Sequence, residues 1–121
     1  MSKRFTKSHE WIEEQSRHGT VGITHYAQEE LGEIVYAQLP KVGVTVHAGQ
    51  EVCVLESTKA AADVYSPVSG KITAVNEAVA TRPQLINEAP EAGGWLYRIE
   101  LSDEKEMQAL LSKADYEKMV N

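Results

Sequence analysis

From residue 51 to residue 70 the chain reads EVCVLESTKAAADVYSPVSG, and this stretch has the pattern of a β-hairpin. Apolar and polar residues alternate on both sides of a polar break at residues 57–59, and such alternation predicts two half-buried strands. The break is too short for anything but a tight turn, so we expect Lys59 at or beside its tip. Pro67 and Gly70 are predicted to end the second strand. A lysine in a turn is by itself an ordinary solvated residue.

Short strands separated by Gly and Pro corners are predicted for most of the remaining chain. The predicted strands cover residues 5–12, 20–24, 33–39, 71–75 and 95–101. In the third of these, Ile34 and Tyr36 are expected on one side and Val35 and Ala37 on the other. This succession favours a sandwich or flattened barrel over a β-α-β arrangement.

Turns and short helices are predicted between these strands. A turn at residues 16–19 is expected to use Gly19 in left-handed geometry. Thr24 is the predicted N-cap of a helix at residues 25–31, and Gly32 is its predicted end. One helical turn is expected at residues 82–87, with Pro83 as its first residue.

The period of the apolar residues changes near the end of the chain. Met107, Leu110, Leu111 and Ala114 recur at helical spacing. Two consecutive helices are therefore predicted, at residues 103–111 and 113–119. Their apolar stripe is interpreted as packing against the sheet.

Length and composition limit the class of protein. The chain has 121 residues, so we expect a single domain over residues 1–121. Its net charge of −6 disfavours nucleic acid as a partner, because backbone phosphates require a positive surface. No apolar run approaches the roughly 18 residues of a membrane helix. We also see no signal peptide, so the prediction is a soluble cytoplasmic protein without a membrane partner.

Catalytic and metal-binding groups do not stand out. Cys53 is the only cysteine, and its place in an apolar strand predicts a buried structural thiol. The four histidines share no helix face and adjoin no plausible nucleophile. The sequence therefore predicts neither an enzyme nor a metal site.

Several pieces of the chain occur together in an order that is informative. The hairpin contains Glu56-Ser57-Thr58-Lys59-Ala60 with Asp63, and it is followed by Ser66-Pro67-Val68-Ser69-Gly70. Other pieces are Ser8-His9-Glu10-Trp11, Thr20-Val21-Gly22-Ile23-Thr24, Gly94-Trp95-Leu96 and a final helix pair that ends in Tyr116. In order and spacing these pieces resemble the H-protein family of the glycine cleavage system. The resemblance implies a mainly β, barrel-sandwich hybrid fold with short peripheral and C-terminal helices, and lipoic acid amide-linked to Lys59.

The resemblance implies a carrier and not an enzyme. Such a carrier shuttles an aminomethyl group on its lipoyl arm from glycine decarboxylase to an aminomethyltransferase. Dihydrolipoamide dehydrogenase then reoxidises the arm, and a lipoate ligase or lipoyl transferase attaches it in the first place. The cofactor carries the chemistry, and the protein tethers and orients it.

The resemblance also assigns roles to individual residues. Glu56 and Asp63 match positions that the lipoylating enzymes read. Ser8, Glu10 and Asp63 match positions that line a surface cleft for the aminomethyl-lipoyl arm, where they would hold its amine by charge-assisted hydrogen bonds. Lys59 cannot be replaced by Arg, because acylation requires an amine.

Two alternatives accompany the glycine cleavage interpretation. A lipoyl-relay or lipoate-salvage carrier, supplying other lipoyl-dependent complexes without glycine cleavage, would use the same hairpin. A biotinyl carrier is disfavoured, because biotin hairpins place Met on both sides of the lysine, whereas Thr58 and Ala60 flank Lys59 in this chain. The loop at residues 88–94 departs from the family pattern, so a changed partner surface is expected there.

Overall fold

The computed structural model describes residues 2–121 as nine short strands and several short helices. The strands are β1 (Ser2–Phe5), β2 (Glu10–Gln15), β3 (His18–Ile23), β4 (Ile34–Gln38), β5 (Thr45–Val46), β6 (Glu51–Ser57), β7 (Ala61–Tyr65), β8 (Gly70–Val75) and β9 (Tyr97–Leu101). The helices are α1 (His25–Leu31), α2 (Glu77–Thr81), α3 (Gln84–Glu88) and α4 (Lys113–Val120), with a 3₁₀ helix at Glu104–Ala109. Met1, at the start of the predicted domain 1–121, lies outside the described residues.

Two antiparallel sheets form the body of the molecule. The larger has the strand order β1-β2-β3-β9-β8-β5, and the smaller has the order β4-β6-β7. The mainly β fold with short peripheral and C-terminal helices is therefore confirmed. Within residues 2–121 the strand pairings form two separate sheets and no closed ring, so the sandwich half of the predicted hybrid describes the pairing better.

The main core lies between the two sheets. Ile12 and Ile72 of the larger sheet and Leu55 of the smaller sheet are fully buried in one cluster. Burying an aliphatic side chain of this size contributes about 1.5–3 kcal/mol to the free energy of unfolding. The hairpin β6–β7 is consequently fixed to the body of the protein by its inward-facing residues.

A second, smaller apolar cluster covers the outer face of the larger sheet. Trp11 belongs to it, whereas its neighbour Ile12 faces the main core, because successive residues of a strand point to opposite faces. Phe5 and Tyr116 stack with ring centroids 4.8 Å apart. The C-terminal helix α4, which carries Tyr116, therefore packs against β1 and β2 at one edge of the larger sheet.

The first hairpin turn differs from the prediction. Ser16 and Arg17 adopt φ values of 54° and 68°, while Gly19 lies inside β3. A two-residue turn of this kind needs positive φ at both central residues. Gly19 serves packing instead, since a Cβ there would lie 2.7 Å from Ile12 Cδ1. The expectation of left-handed geometry at Gly19 was wrong.

The sides of β4 were also predicted wrongly. The register of β4 against β6 shifts between Ile34 and Tyr36, which marks a bulge. Ile34 and Ala37 are therefore buried, while Val35 and Tyr36 are exposed. A bulge adds one residue to one strand, so the alternation of faces is broken at that point.

Several element boundaries differ from those predicted. The hairpin's second strand ends at Tyr65, and Gly70 begins β8 instead of ending β7. Strand β1 and helix α2 were not predicted, and Pro83 is the N-cap of α3 and not its first residue. The predicted helix pair at residues 103–119 is present, with its first member a 3₁₀ helix. No helix within residues 2–121 is long and apolar enough to cross a membrane.

Candidate functional site

Lys59 lies in the turn between β6 and β7, where its side chain is exposed. The Ser57 hydroxyl accepts hydrogen bonds from the Lys59 and Ala60 amides, at 3.2 and 3.0 Å. The Ser57 amide donates to the Ala60 carbonyl at 2.7 Å, and the Thr58 amide donates to the Glu33 carbonyl at 3.0 Å. These bonds fix the backbone of the turn, so that mobility is left to the lysine side chain.

The end of α1 lies directly beside the lysine stem. Gly32 ends this helix with a φ of 82°, a conformation that L side chains rarely adopt. A Cβ at Gly32 would lie 3.1 Å from Lys59 Cε. Gly32 therefore serves both the helix end and the close approach of the lysine.

A cavity of about 280 Å³ opens between the turn that precedes β2, helix α1 and strands β6 and β7. Its apolar lining consists of Ile23, Ala27, Leu31, Leu55, Ala62 and Val64. Its polar lining consists of Ser8, His9, Glu10, Tyr26, Glu30 and Asp63. The structure thus brings Ser8, Glu10 and Asp63 into one cleft, although Asp63 lies far from the other two in the sequence.

Glu10 forms the floor of this cleft and is only 2% exposed. Its Oε1 accepts hydrogen bonds from Ser8 Oγ at 2.6 Å and from the Thr6 hydroxyl, and its Oε2 accepts one from the Tyr65 amide at 3.2 Å. Burial raises the pKa of the Glu10 carboxyl, and these hydrogen bonds oppose that rise. Glu10 therefore joins the turn before β2 to the strand that follows Lys59.

Asp63 and Glu56 are both exposed residues of the lysine hairpin. Asp63 pairs with Val54 across the hairpin and faces the cleft, and within residues 2–121 its carboxylate has no hydrogen bond or ion pair. Glu56 pairs with Ala61 and Tyr36, and it does not line the cleft. The two carboxylates predicted for recognition therefore flank the turn in different surroundings.

Sequence reasoning missed three polar residues of the cleft, His9, Tyr26 and Glu30. His9 has a φ of 72°, and its ring packs against that of Tyr26 at a tilt of 36°, with ring centroids 4.6 Å apart. Burial lowers the pKa of His9, and the nearby carboxylate of Glu30 opposes this effect. Tyr26 and Glu30 are four residues apart in a correctly predicted helix, so their common face could have been read from the sequence. The position of His9 in the cleft could not have been read from the sequence.

Cys53 is buried in β6, as predicted. Burial raises the pKa of its thiol to about 12, so the thiolate is not available near neutral pH. Among residues 2–121, no group of three or more His, Cys, Asp or Glu side chains is arranged to hold a metal ion.

The divergent loop at residues 88–94 packs against the larger sheet. Glu91 pairs with Lys3 at 2.9 Å and accepts a hydrogen bond from the His25 amide at 3.1 Å. The Pro90 carbonyl accepts a hydrogen bond from Trp11 Nε1 at 3.0 Å. A changed partner surface at this loop stays a prediction.

The fold and the site together define a class of small two-sheet β domains with an exposed lysine in a hydrogen-bonded hairpin turn, beside a cleft with apolar and polar walls. Comparisons with known proteins identify the family within this class.

The family described as Glycine cleavage H-protein matches residues 3–121. A glycine cleavage system H protein of Thermotoga maritima is 52% identical over 115 residues, covering 95% of this chain and 93% of the relative. One from Escherichia coli is 49% identical over 119 residues, covering 97% and 92%. The crystal structure of a glycine cleavage system H protein from Mycobacterium marinum superposes with a TM-score of 0.89 at 36% identity, covering 98% of this chain and 96% of that one. The chain belongs to the glycine cleavage H-protein family.

Proposed function

We propose that this protein is the lipoyl-bearing carrier of a glycine cleavage system, with lipoic acid amide-linked to Lys59. Family membership supports the system, and the exposed Lys59 in its hydrogen-bonded turn is the observation that carries the attachment site. In this proposal the chain works as one carrier domain and catalyses nothing itself. The main core, which both sheets share within residues 2–121, supports the single domain.

The residues around the turn suit a lipoyl group. An amide link needs a primary amine that an acylating enzyme can reach, and Lys59 is exposed. The apolar cleft walls, which include Leu31 and Val64, suit a hydrocarbon chain and sulfur, while Glu10 and Asp63 suit a cationic amine. When bound, the lipoyl group supplies a disulfide–dithiol pair that accepts the aminomethyl unit and is later reoxidised.

Glu10 and Asp63 each contribute hydrogen-bond acceptors to a cationic amine in the cleft. The two oxygens of Glu10 already accept three hydrogen bonds, and a carboxylate offers about four acceptor positions. The Ser8 hydroxyl donates a hydrogen bond to the Glu10 carboxylate, so Ser8 acts by orienting that carboxylate. Asp63 supplies a second carboxylate whose acceptor positions are not occupied by side chains within residues 2–121. In this proposal an amine binds between Glu10 and Asp63.

Glu56 and Asp63 have a proposed role in lipoylation, before the carrier begins to work. Both carboxylates are exposed on the strands that lead to and from Lys59, three and four residues away from it. A lipoate ligase or lipoyl transferase that binds the hairpin can therefore contact both of them beside the amine. Charge complementarity of this kind guides encounter more than it adds affinity.

The proposed partners of the loaded carrier are glycine decarboxylase, aminomethyltransferase and dihydrolipoamide dehydrogenase. A tethered group visits each of them at an effective concentration set by the length of its arm. The turn stays fixed by Ser57 while the lysine stem rotates, so one attachment point can serve several enzymes. The names of the relatives favour this function over a lipoyl relay.

The test compares the native chain with Lys59→Arg and with Lys71→Arg, a control at another exposed lysine. Each protein is incubated with lipoate and a lipoate ligase, and its intact mass is measured. We expect one lipoyl unit on the native chain and on Lys71→Arg, and none on Lys59→Arg. Modification of Lys59→Arg would refute the attachment site.

The glycine-specific function is tested separately on the fully lipoylated native protein. Together with a glycine decarboxylase it should support exchange of bicarbonate carbon into glycine, and unmodified protein should not. Complete lipoylation without any exchange would contradict the glycine cleavage function and favour the relay alternative.

A further inference from the structure

A chain of hydrogen bonds joins the C-terminal helix to two walls of the cleft. The Tyr116 hydroxyl lies 2.8 Å from His9 Nδ1 and 2.7 Å from Thr24 Oγ1. His9 belongs to the turn that carries Ser8 and Glu10. Thr24 caps α1, because its hydroxyl accepts a hydrogen bond from the Ala27 amide at 3.2 Å. One hydroxyl group therefore contacts both the turn and the N-terminus of α1.

The backbone at His9 needs such external support. Its φ of 72° is uncommon for a residue other than glycine, and such conformations persist where surrounding contacts impose them. The His9 amide donates to the Thr6 carbonyl at 3.2 Å, and the His9 carbonyl accepts from the Thr24 amide at 3.0 Å. The side chain adds the contact with Tyr116 and a tilted ring contact with Tyr26.

Tyr116 itself is held by packing that does not depend on its hydroxyl. The side chain is 5% exposed, and its ring stacks on Phe5 at an interplanar angle of 10°. Removing only the hydroxyl should therefore leave α4 in place. This separates the positioning of the cleft from the stability of the helix.

We propose that Tyr116 is a positioning residue of the cleft, which holds the His9 turn and α1 at a fixed separation through its hydroxyl. The Thr24 hydroxyl donates to Tyr116, and Tyr116 donates to His9 Nδ1, so that the neutral ring carries its proton on Nε2. A neutral His9 leaves the negative charge of Glu10 and Glu30 available to a cationic amine. The effect on a bound amine rests on the proposed carrier function, but the hydrogen-bond arrangement does not.

The first test needs only the unmodified protein. The ring nitrogens of His9 are followed by ¹⁵N NMR during a pH titration of the native chain and of Tyr116→Phe. Loss of the donated hydrogen bond removes a stabilisation of the neutral ring, so the pKa of His9 should rise and the tautomers should mix. The titratable groups facing this ring are Glu30 and Tyr26 on α1, Tyr116 on α4 and the adjacent Glu10. An unchanged His9 titration would overturn the proposal.

Tyr97→Phe is the matched control. The Tyr97 hydroxyl is also buried but has no hydrogen-bond partner within residues 2–121, because the Ser66 hydroxyl donates to the Val68 carbonyl instead. Its removal should leave the His9 titration as in the native chain. An equal His9 shift in both variants would show a general effect on folding and would also overturn the proposal.

The second test uses lipoylated protein loaded from glycine by a glycine decarboxylase. Tyr116→Phe should release the aminomethyl group several-fold faster than the native chain, while the rate of lipoylation at Lys59 is unchanged. His9→Asn, which can accept a hydrogen bond near the position of Nδ1, should retain the group better than His9→Ala. Equal release from Tyr116→Phe and the native chain would overturn the positioning role. A failure of every variant to load would count against the proposed function instead, with the NMR result intact.

Discussion

At the scale of single residues, Glu10 shows how the cleft is built at a cost in stability. A carboxylate that is only 2% exposed loses most of its hydration, which three hydrogen bonds from Thr6, Ser8 and Tyr65 replace. The remaining penalty appears as the raised pKa of Glu10. Such a group is retained at a functional site more readily than in a purely structural core.

Replacing Glu10 by Gln should change how stability depends on pH. Because the folded state raises the pKa of Glu10, it binds a proton more readily than the unfolded state does above pH 4.5. This contribution to the free energy of unfolding is fully present below the unfolded value of about 4.5, and it is lost as pH rises through the folded pKa. Urea unfolding between pH 7 and pH 4 should therefore show the native chain gaining stability relative to Glu10→Gln as pH falls.

The control for this pH series is Glu13→Gln, a change at an exposed residue of the same strand. This control removes one carboxylate charge, as Glu10→Gln does, but at an exposed position. Parallel curves for Glu10→Gln and the native chain would contradict the account of Glu10.

At the scale of elements, α1 is too short to be stable by itself. Its seven residues are held at both ends by Thr24 and Gly32 and from the side by Asn87 of α3. Asn87 Nδ2 donates to the Gly32 carbonyl at 2.8 Å, and its Oδ1 accepts from the Ile34 amide at 2.9 Å. The end of α1 beside Lys59 is therefore fixed by hydrogen bonds from α3, and not by the intrinsic helix propensity of the residues in α1.

Gly32→Ala should weaken this helix end. The alanine would have to adopt a φ of 82° and place its Cβ 3.1 Å from Lys59 Cε. We expect a loss of about 1–3 kcal/mol in the free energy of unfolding, together with slower lipoylation, measured by urea denaturation and by the initial rate with a lipoate ligase.

Substitutions at two other glycines distinguish the effect of backbone strain from the effect of contact with Lys59. Gly93→Ala meets no atom within 4 Å and should be nearly neutral, whereas Gly43→Ala carries the strain of its φ of 98° without any contact. If Gly32→Ala slowed lipoylation no more than Gly43→Ala, the close approach to Lys59 would have no functional effect.

At the scale of the whole molecule, the lysine hairpin and the core are one structure. Leu55 and Val64 of the hairpin lie in the same cluster as Ile72 and Ile99 of the larger sheet. The turn that presents Lys59 can be rigid because its strands are fixed by this shared core. Loss of packing in this core should consequently destabilise the β6–β7 hairpin as well.

Ile72→Ala tests this coupling at a fully buried site in β8, in the sheet that does not contain the β6–β7 hairpin. Truncation should cost about 2–5 kcal/mol of unfolding free energy, through lost burial and the cavity left behind. Hydrogen exchange should then show lower protection throughout the β6–β7 hairpin. Val44→Ala, at an exposed residue, is the control and should change stability by less than about 0.5 kcal/mol. A hairpin that kept native protection in Ile72→Ala would refute the shared core.

The sequence by itself determined the features that depend on short stretches of chain. Alternation on both sides of residues 57–59 predicted the hairpin and the turn position of Lys59, and both are present. Thr24 and Gly32 predicted the ends of α1, because capping involves neighbours only a few residues apart. That Ser8, Glu10 and Asp63 share a cleft was implied only by the resemblance to known carriers, since no local pattern connects them.

Only the tertiary structure decided which residues meet across long separations. His9 and Tyr116 are 107 positions apart, and Glu10 and the Tyr65 amide are 55 apart. The bulge in β4 and the positive φ values at Ser16 and Arg17 likewise follow from strand register and twist. Register and packing are chosen by the burial of the whole core, and a local pattern carries no information about its distant partner.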